Sequence, residues 1–426
     1  MPGGCSRNTV LRKPHPLYAA RGEGCYLTDI EGVRRIDFAN NMASLIHGHA
    51  HPAIVDAVSS QLHLGTGFTM ATEAEIVYAE HLCGRAPSFE KIRFVNSGTE
   101  AVMSALKASR AYTGRAKIAK AEGAYHGLYD YAEVSQNPGP STWGAINRPA
   151  SVPVAHGTPA SALGDVVVIP FNDADRAIAI LEQNTEDLAC VLIDLLPHRV
   201  GLIPAQADFV HRLRQWTQDN NVLLVCDEVI TFRNNFGGAQ ASYDIEPDLT
   251  AMGKMIGGGF PVGALAGSDE VMNVMDPLAD KVLFPHSGTF SANPVTMTAG
   301  RIAMELFDPP AIDRLNRLGK QARASIREAI AAADVPACVT GAGSMFRIHM
   351  KPKPPCNYRE VYDLAGEDAL RKDFLDFALS KGIFLVGTCT GMLSTPMTAR
   401  EIDRLAEVTE GAFKKIKPGL CALGEA

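Results

Sequence analysis

Ile92-Arg93-Phe94-Val95-Asn96-Ser97-Gly98-Thr99-Glu100-Ala101-Val102-Met103-Ser104-Ala105-Leu106 reads as a short apolar strand, a small polar turn and the start of a helix. Further short apolar runs follow, Val166-Val167-Val168-Ile169, Val191-Leu192-Ile193 and Val222-Leu223-Leu224-Val225, alternating with helical periodicity. Such alternation predicts an α/β core with a largely parallel sheet. Ligands of open parallel sheets sit beyond the carboxyl ends of the strands, so the residues that end each run are the candidates for chemistry.

Three of these ends are informative. At Ser97-Gly98-Thr99, free N–H groups of a helix N-terminus, a glycine and two hydroxyls suit a phosphate dianion. An ordinary N-cap with Glu100 closing a capping box fits the same residues. The run 222–225 leads into Cys226-Asp227-Glu228-Val229, which puts a carboxylate at the ligand edge. A buried acid there requires a cation or a strong donor; a protonated pyridine nitrogen and a structural ion pair both satisfy that need. The third stretch, Asp248-Leu249-Thr250-Ala251-Met252-Gly253-Lys254-Met255-Ile256-Gly257-Gly258-Gly259-Phe260-Pro261-Val262-Gly263, sets a lone lysine among apolar residues and glycines. Desolvation favours the neutral amine of Lys254, the form that attacks an aldehyde. A nucleotide P-loop does not fit, because Met255 follows the lysine where Ser or Thr belongs.

The 426 residues exceed what one hydrophobic core usually holds, so one large and one smaller domain are expected. With 46% apolar and 20% charged residues the chain is globular rather than disordered. The formal charge of −7 comes without a long basic run, which argues against nucleic acid as a partner. No apolar stretch reaches the length of a membrane span and Met-Pro-Gly-Gly is not a signal pattern, so a cytoplasmic protein without a membrane partner is expected. The nine cysteines form no Cys-x-x-Cys pairs and read as reduced thiols. His47, His49 and His51 lack an accompanying carboxylate cluster, and no metal is expected.

Residues 16–40 read as a small antiparallel sheet, and 136–164, rich in Pro, Gly, Ser and Ala, as a candidate lid. Helices are expected at 292–307, 311–333, 366–381 and 398–416, a strand over 339–350, and a short strand at Ile383-Phe384-Leu385-Val386.

Together, the turn at 97–99, Asp227 and Lys254 make the chain resemble the class III aminotransferases over nearly its whole length. The resemblance extends to Gly48-His49-Ala50-His51-Pro52, Gly123-Ala124-Tyr125-His126-Gly127 and His286-Ser287-Gly288-Thr289-Phe290-Ser291-Ala292-Asn293-Pro294. It is nearest to the branch holding glutamate-1-semialdehyde aminomutase and the β-amino-acid and phenylglycine transaminases. The resemblance implies a fold type I enzyme, α/β, with a seven-stranded mostly parallel sheet in a large domain and a small α+β domain. The large pyridoxal-phosphate domain would span 46–310, with 1–45 belonging to the small domain and 311–426 forming its C-terminal part. It implies pyridoxal 5'-phosphate held by Lys254 as a Schiff base, the lysine also carrying the substrate proton, and Asp227 keeping the pyridine nitrogen protonated. By the same resemblance Tyr125 stacks on one ring face, Val229 packs on the other, His126 lies nearby, and Ser97, Gly98 and Thr99 hold the phosphate. Thr289 would reach the phosphate of the neighbouring subunit of a homodimer. An amino-acid donor and a 2-oxo acid acceptor are the implied substrates.

The chain departs from its relatives around the substrate. Many carry Glu-Pro where this chain has Asp194-Leu195-Leu196-Pro197-His198-Arg199, so Asp194 and His198 become candidate substrate contacts. Arg7 aligns with an arginine that grips the carboxylate in β-amino-acid relatives, with Arg12 as the alternative. Thr388-Cys389-Thr390-Gly391 is small and neutral where the aminomutase has a glutamate and the β-phenylalanine transaminase an arginine. Met42, Leu45, Ile46 and Met392 suggest a partly apolar pocket for an aromatic or β-type amino acid. An intramolecular aminomutase or a racemase on the same scaffold is the nearest rival, and a non-catalytic binding protein a more distant one.

Overall fold

The computed structural model describes residues 1–13 and 15–424. The chain forms two compact units, one of residues 1–55, 310–354 and 363–426, the other of 56–309 and 355–362. Residues 46–55, 310 and 355–362 therefore group otherwise than the boundaries expected at 46 and 310.

The second unit is built on a seven-stranded sheet: β1 Lys91–Val95, β2 Lys117–Ala121, β3 Val166–Ile169, β4 Leu188–Ile193, β5 Leu223–Asp227, β6 Leu249–Gly253 and β7 Gly263–Gly267. Its order is β1-β7-β6-β5-β4-β2-β3. Only β7 runs antiparallel to its neighbours, β6 and β1; the remaining pairs are parallel. This is the mostly parallel α/β sheet that the apolar runs predict. β4 and β5 are buried at every residue, as strands covered on both faces must be, which is why their sequences are continuous rather than alternating. Helix α1, Gly98–Thr113, packs Ala101, Val102, Ala105, Leu106 and Ala108 inward at helical spacing and stops at Gly114 in the left-handed region (φ 70°). Leu106 is fully buried, so its truncation to alanine would cost about 2–5 kcal/mol.

The stretch 136–164 is structured rather than a free lid. It contains a small hairpin of Gly144–Ala145 with Arg148–Pro149 and a helical turn Ala160–Gly164. Ser135 Oγ donates to Ala150 O at 2.6 Å and accepts the Val152 N–H at 2.8 Å. Arg359 pins the hairpin, donating to Gly144 O (2.9 Å) and Trp143 O (3.0 Å) while its fork holds Glu122 at 2.8 and 2.9 Å.

In the first unit, Ala19–Glu23, Tyr26–Asp29 and Arg34–Asp37 form the expected antiparallel sheet, and Ile383–Phe384 adds to it in parallel. The single strand expected over 339–350 is two, Cys338–Thr340 and Met345–His349, paired antiparallel. Gly341 sits at φ 128°, a conformation open to glycine, and reverses the chain between them. The last helix, Ala399–Gly424, runs through Pro418 beyond the expected end at 416, because Leu420 still has a core to enter. Among the described residues no helix is long and apolar enough to cross a membrane.

Candidate active site

The turn between β1 and α1 suits either a phosphate cradle or an ordinary cap, and the cap is formed. Ser97 is the N-cap, its Oγ accepting the Glu100 N–H at 3.1 Å. Glu100 Oε2 in turn accepts the Asn96 N–H (2.7 Å) and Nδ2 (3.2 Å). The cap satisfies the Glu100 N–H and leaves those of Gly98 and Thr99, ahead of it on the helix end, available to an anion. A Cβ added at Gly98 would lie 2.8 Å from Val229 Cγ1, so this glycine lets the turn close onto the segment after β5.

Asp227, the last residue of β5, and Glu228, which follows it, put two carboxylates in different environments, as successive side chains of an extended chain point to opposite faces. Asp227 Oδ2 lies 2.8 Å from His126 Nδ1, and Asp227 Oδ1 accepts the Val229 N–H at 3.0 Å. A carboxylate acceptor fixes the Nδ1–H tautomer, and burial lowers the His126 imidazolium, so the ring is a neutral donor that orients the acid. His126 Nε2 is buried without a partner among the described residues. Glu228, fully buried, accepts from Ala239 N (2.6 Å), Gln240 N (2.8 Å) and Gln240 Nε2 (3.1 Å), and burial raises its carboxyl to about 7. Its own N–H reaches Ala251 O at 2.8 Å, fastening the end of β5 to β6.

Lys254 opens the short turn Lys254–Gly257 that leaves β6. Its backbone is in the left-handed region at φ 51°, a strained state for a side chain of this size, worth about 1–3 kcal/mol and characteristic of functional positions. Burial lowers its ammonium, opposed by the negative fields of Asp227 and Asp194, and its amine makes no hydrogen bond among the described residues. Asp194, at the end of β4, has its carboxyl pushed well above the usual range, chiefly by burial and then by Asp227, while Oδ1 accepts the Leu196 N–H at 2.9 Å.

Tyr125 precedes His126 and stands partly exposed, with the Arg199 guanidinium 5.4 Å from its ring centroid. His198 is half-buried in the same turn as Arg199. Thr289 is exposed. Arg7 belongs to the first unit, where its Nη1 donates to Asn41 Oδ1 at 2.8 Å, and Arg12 there pairs with Asp376 at 3.1 Å. The structure thus gathers Ser97, Gly98, Thr99, Tyr125, His126, Asp194, Asp227, Val229 and Lys254 around the strand ends of one unit. Lys120, which supports the segment of Tyr125 and His126, went unremarked in the sequence, although a lysine inside the strand Lys117–Ala121 was a signal for it.

This donor set fits pyridoxal phosphate: unpaired N–H groups at a helix end for the phosphate, a histidine-oriented carboxylate for the ring nitrogen, and a desolvated amine for the aldehyde.

Comparison with known proteins agrees. The profile of the class-III aminotransferases matches residues 9–412. A glutamate-1-semialdehyde 2,1-aminomutase of Methanothermobacter thermautotrophicus is 38% identical over 90% of this chain and 89% of its own. Among solved structures, an omega-transaminase from Sphaerobacter thermophilus superposes with a TM-score of 0.94 at 48% identity, covering 97% of this chain and 94% of that one. A β-phenylalanine aminotransferase from Variovorax paradoxus gives 0.86 at 34% identity over 99% and 92%. The chain belongs to the class-III aminotransferase family of fold type I pyridoxal-phosphate enzymes.

Proposed function

We infer that the chain moves an amino group from an aromatic or β-type amino acid to a 2-oxo acid, with Lys254 and Asp227 as catalytic residues. The observation that carries this reading is the unpaired, desolvated Lys254 amine within the field of Asp227, itself held by His126. Bound there, the cofactor supplies an aldehyde to receive the amino group and a ring that stabilises charge at the carbon losing its proton. Lys254 Nζ, whose charge burial disfavours, takes that proton and returns it elsewhere. Asp227 Oδ2, oriented by the His126 Nδ1–H, holds a proton at the ring nitrogen. Gly98 and Thr99 N–H groups with the Ser97 and Thr99 hydroxyls would hold the phosphate, and Tyr125 and Val229 would flank the ring. Thr289 is assigned to the phosphate of a second subunit, and Arg7, Asp194 and His198 to the substrate.

The aromatic or β-type donor is supported by the similarity to the β-phenylalanine aminotransferase. The similarity to an aminomutase favours a second reading, amino transfer within one molecule. Turnover measured with a panel of amino acids of both hands separates the two. Consumption that stops when the 2-oxo acid is omitted supports the transaminase, and sustained consumption without it overturns that choice.

A further inference from the structure

The turn that leaves β4 carries a cation which no described residue neutralises. Arg199 is half-buried, its guanidinium stands 5.4 Å from the Tyr125 ring centroid, and no carboxylate among the described residues pairs with it. Asp194, earlier on the same turn, does not pair with it; its Oδ1 accepts the Leu196 N–H at 2.9 Å. Arg7, in the other unit, donates to the neutral Asn41 Oδ1 at 2.8 Å.

The position of Arg199 follows from strand order. β4 lies between β5 and β2, so the turn after β4 runs beside the segment after β2, which holds Tyr125 and His126, and the end of β5, which holds Asp227. Tyr125 links the two sides, because its neighbour His126 bonds Asp227 at 2.8 Å while its own ring meets Arg199. The Tyr125 phenol responds to both: burial raises it, Arg199 lowers it and Asp227 raises it again. A guanidinium laid against an aromatic ring is held in one plane with its donor fork free, which is the arrangement that receives a planar carboxylate.

We propose that Arg199 is a substrate-binding residue that takes the carboxylate of the amino-acid donor through its guanidinium fork, with the Tyr125 ring fixing the plane of that fork. This rests on the amino-acid donor inferred above. The residue therefore sets specificity for acids over plain amines, a role that a purely packing arginine would not have.

The test uses rapid-mixing spectra of the holoenzyme during the donor half-reaction with β-phenylalanine and with 1-phenylpropylamine, which has the same skeleton and a methyl group in place of the carboxylate. Arg199→Gln lowers kcat/KM for the acid by about tenfold to a hundredfold, as loss of a charge-assisted hydrogen bond does, and leaves the amine within about twofold. Arg199→Lys recovers part of the loss. An equilibrium titration with 3-phenylpropanoate, which has the carboxylate and no amino group, shows weakening of the same order in Arg199→Gln. Equal losses for acid and amine, or no loss for the acid, overturn the proposal. A wild-type enzyme that leaves β-phenylalanine unchanged removes the donor reading itself, a failure visible before any substitution is made.

Discussion

Asp227 and His126 depend on each other. The 2.8 Å contact places the imidazole as the donor that aims the carboxylate, and both groups are buried. Replacing His126 with phenylalanine leaves Asp227 Oδ2 without that donor, at a cost of about 1–3 kcal/mol. The expected outcome is a cofactor dissociation constant raised about tenfold or more, with kcat reduced, read by titrating the cofactor-free protein. Unchanged affinity and kcat would show that the contact does not position Asp227. Glu228, the next residue, shows why a carboxylate at a strand end is an ambiguous signal: it is bonded to Ala239 N and Gln240 and serves the fold. The sequence showed both acids and only the facing of the strand separates their roles.

At the scale of elements, the strand ends are fastened by groups that periodicity does not reveal. Lys120, fully buried on β2, donates to Ala124 O at 3.1 Å and Val134 O at 2.7 Å, and so holds the segment that carries Tyr125 and His126. Burial pushes its ammonium down to about 7 from the ordinary 10.5. Between those values the unfolded chain binds the proton that the folded chain lacks, so this group makes stability rise with pH; below about 7 both states are charged and the burial penalty is fully present. Lys120→Met is expected to flatten the rise of Tm across that window, and a profile parallel to that of the wild type would contradict the assignment. The apolar runs of β4 and β5 were legible because full burial demands unbroken apolar sequence. The split at Gly341 and the tethering of 136–164 were not, since the first is a backbone reversal inside an apolar run and the second depends on Arg359, remote in sequence. Arg199 was visible as a departure from relatives, but its contact with Tyr125 exists only once β4 and β2 lie side by side.

For the molecule as a whole, the proposed homodimer with shared sites is consistent with the apolar residues left on the second unit: Leu64, Phe68, Met70 and Phe290 are 73%, 53%, 83% and 67% exposed. Phe290 follows Thr289, the residue assigned to the partner's phosphate. Mixing two inactive variants, Lys254→Ala and Thr289→Glu, through unfolding and refolding is expected to restore about a quarter of wild-type activity, because half the dimers are mixed and each contains one intact site. No recovery from a mixture that forms mixed dimers would place Thr289 outside the partner's site.

Lys254 as the point of covalent attachment is the claim on which the chemistry rests, and borohydride reduction of the holoenzyme followed by peptide mass mapping tests it most directly. The pyridoxyl mass is expected on the peptide containing Lys254, and is expected to be absent from a folded Lys254→Ala variant that has lost turnover by at least about a thousandfold. A pyridoxyl group on another lysine, or full activity in Lys254→Ala, would contradict it.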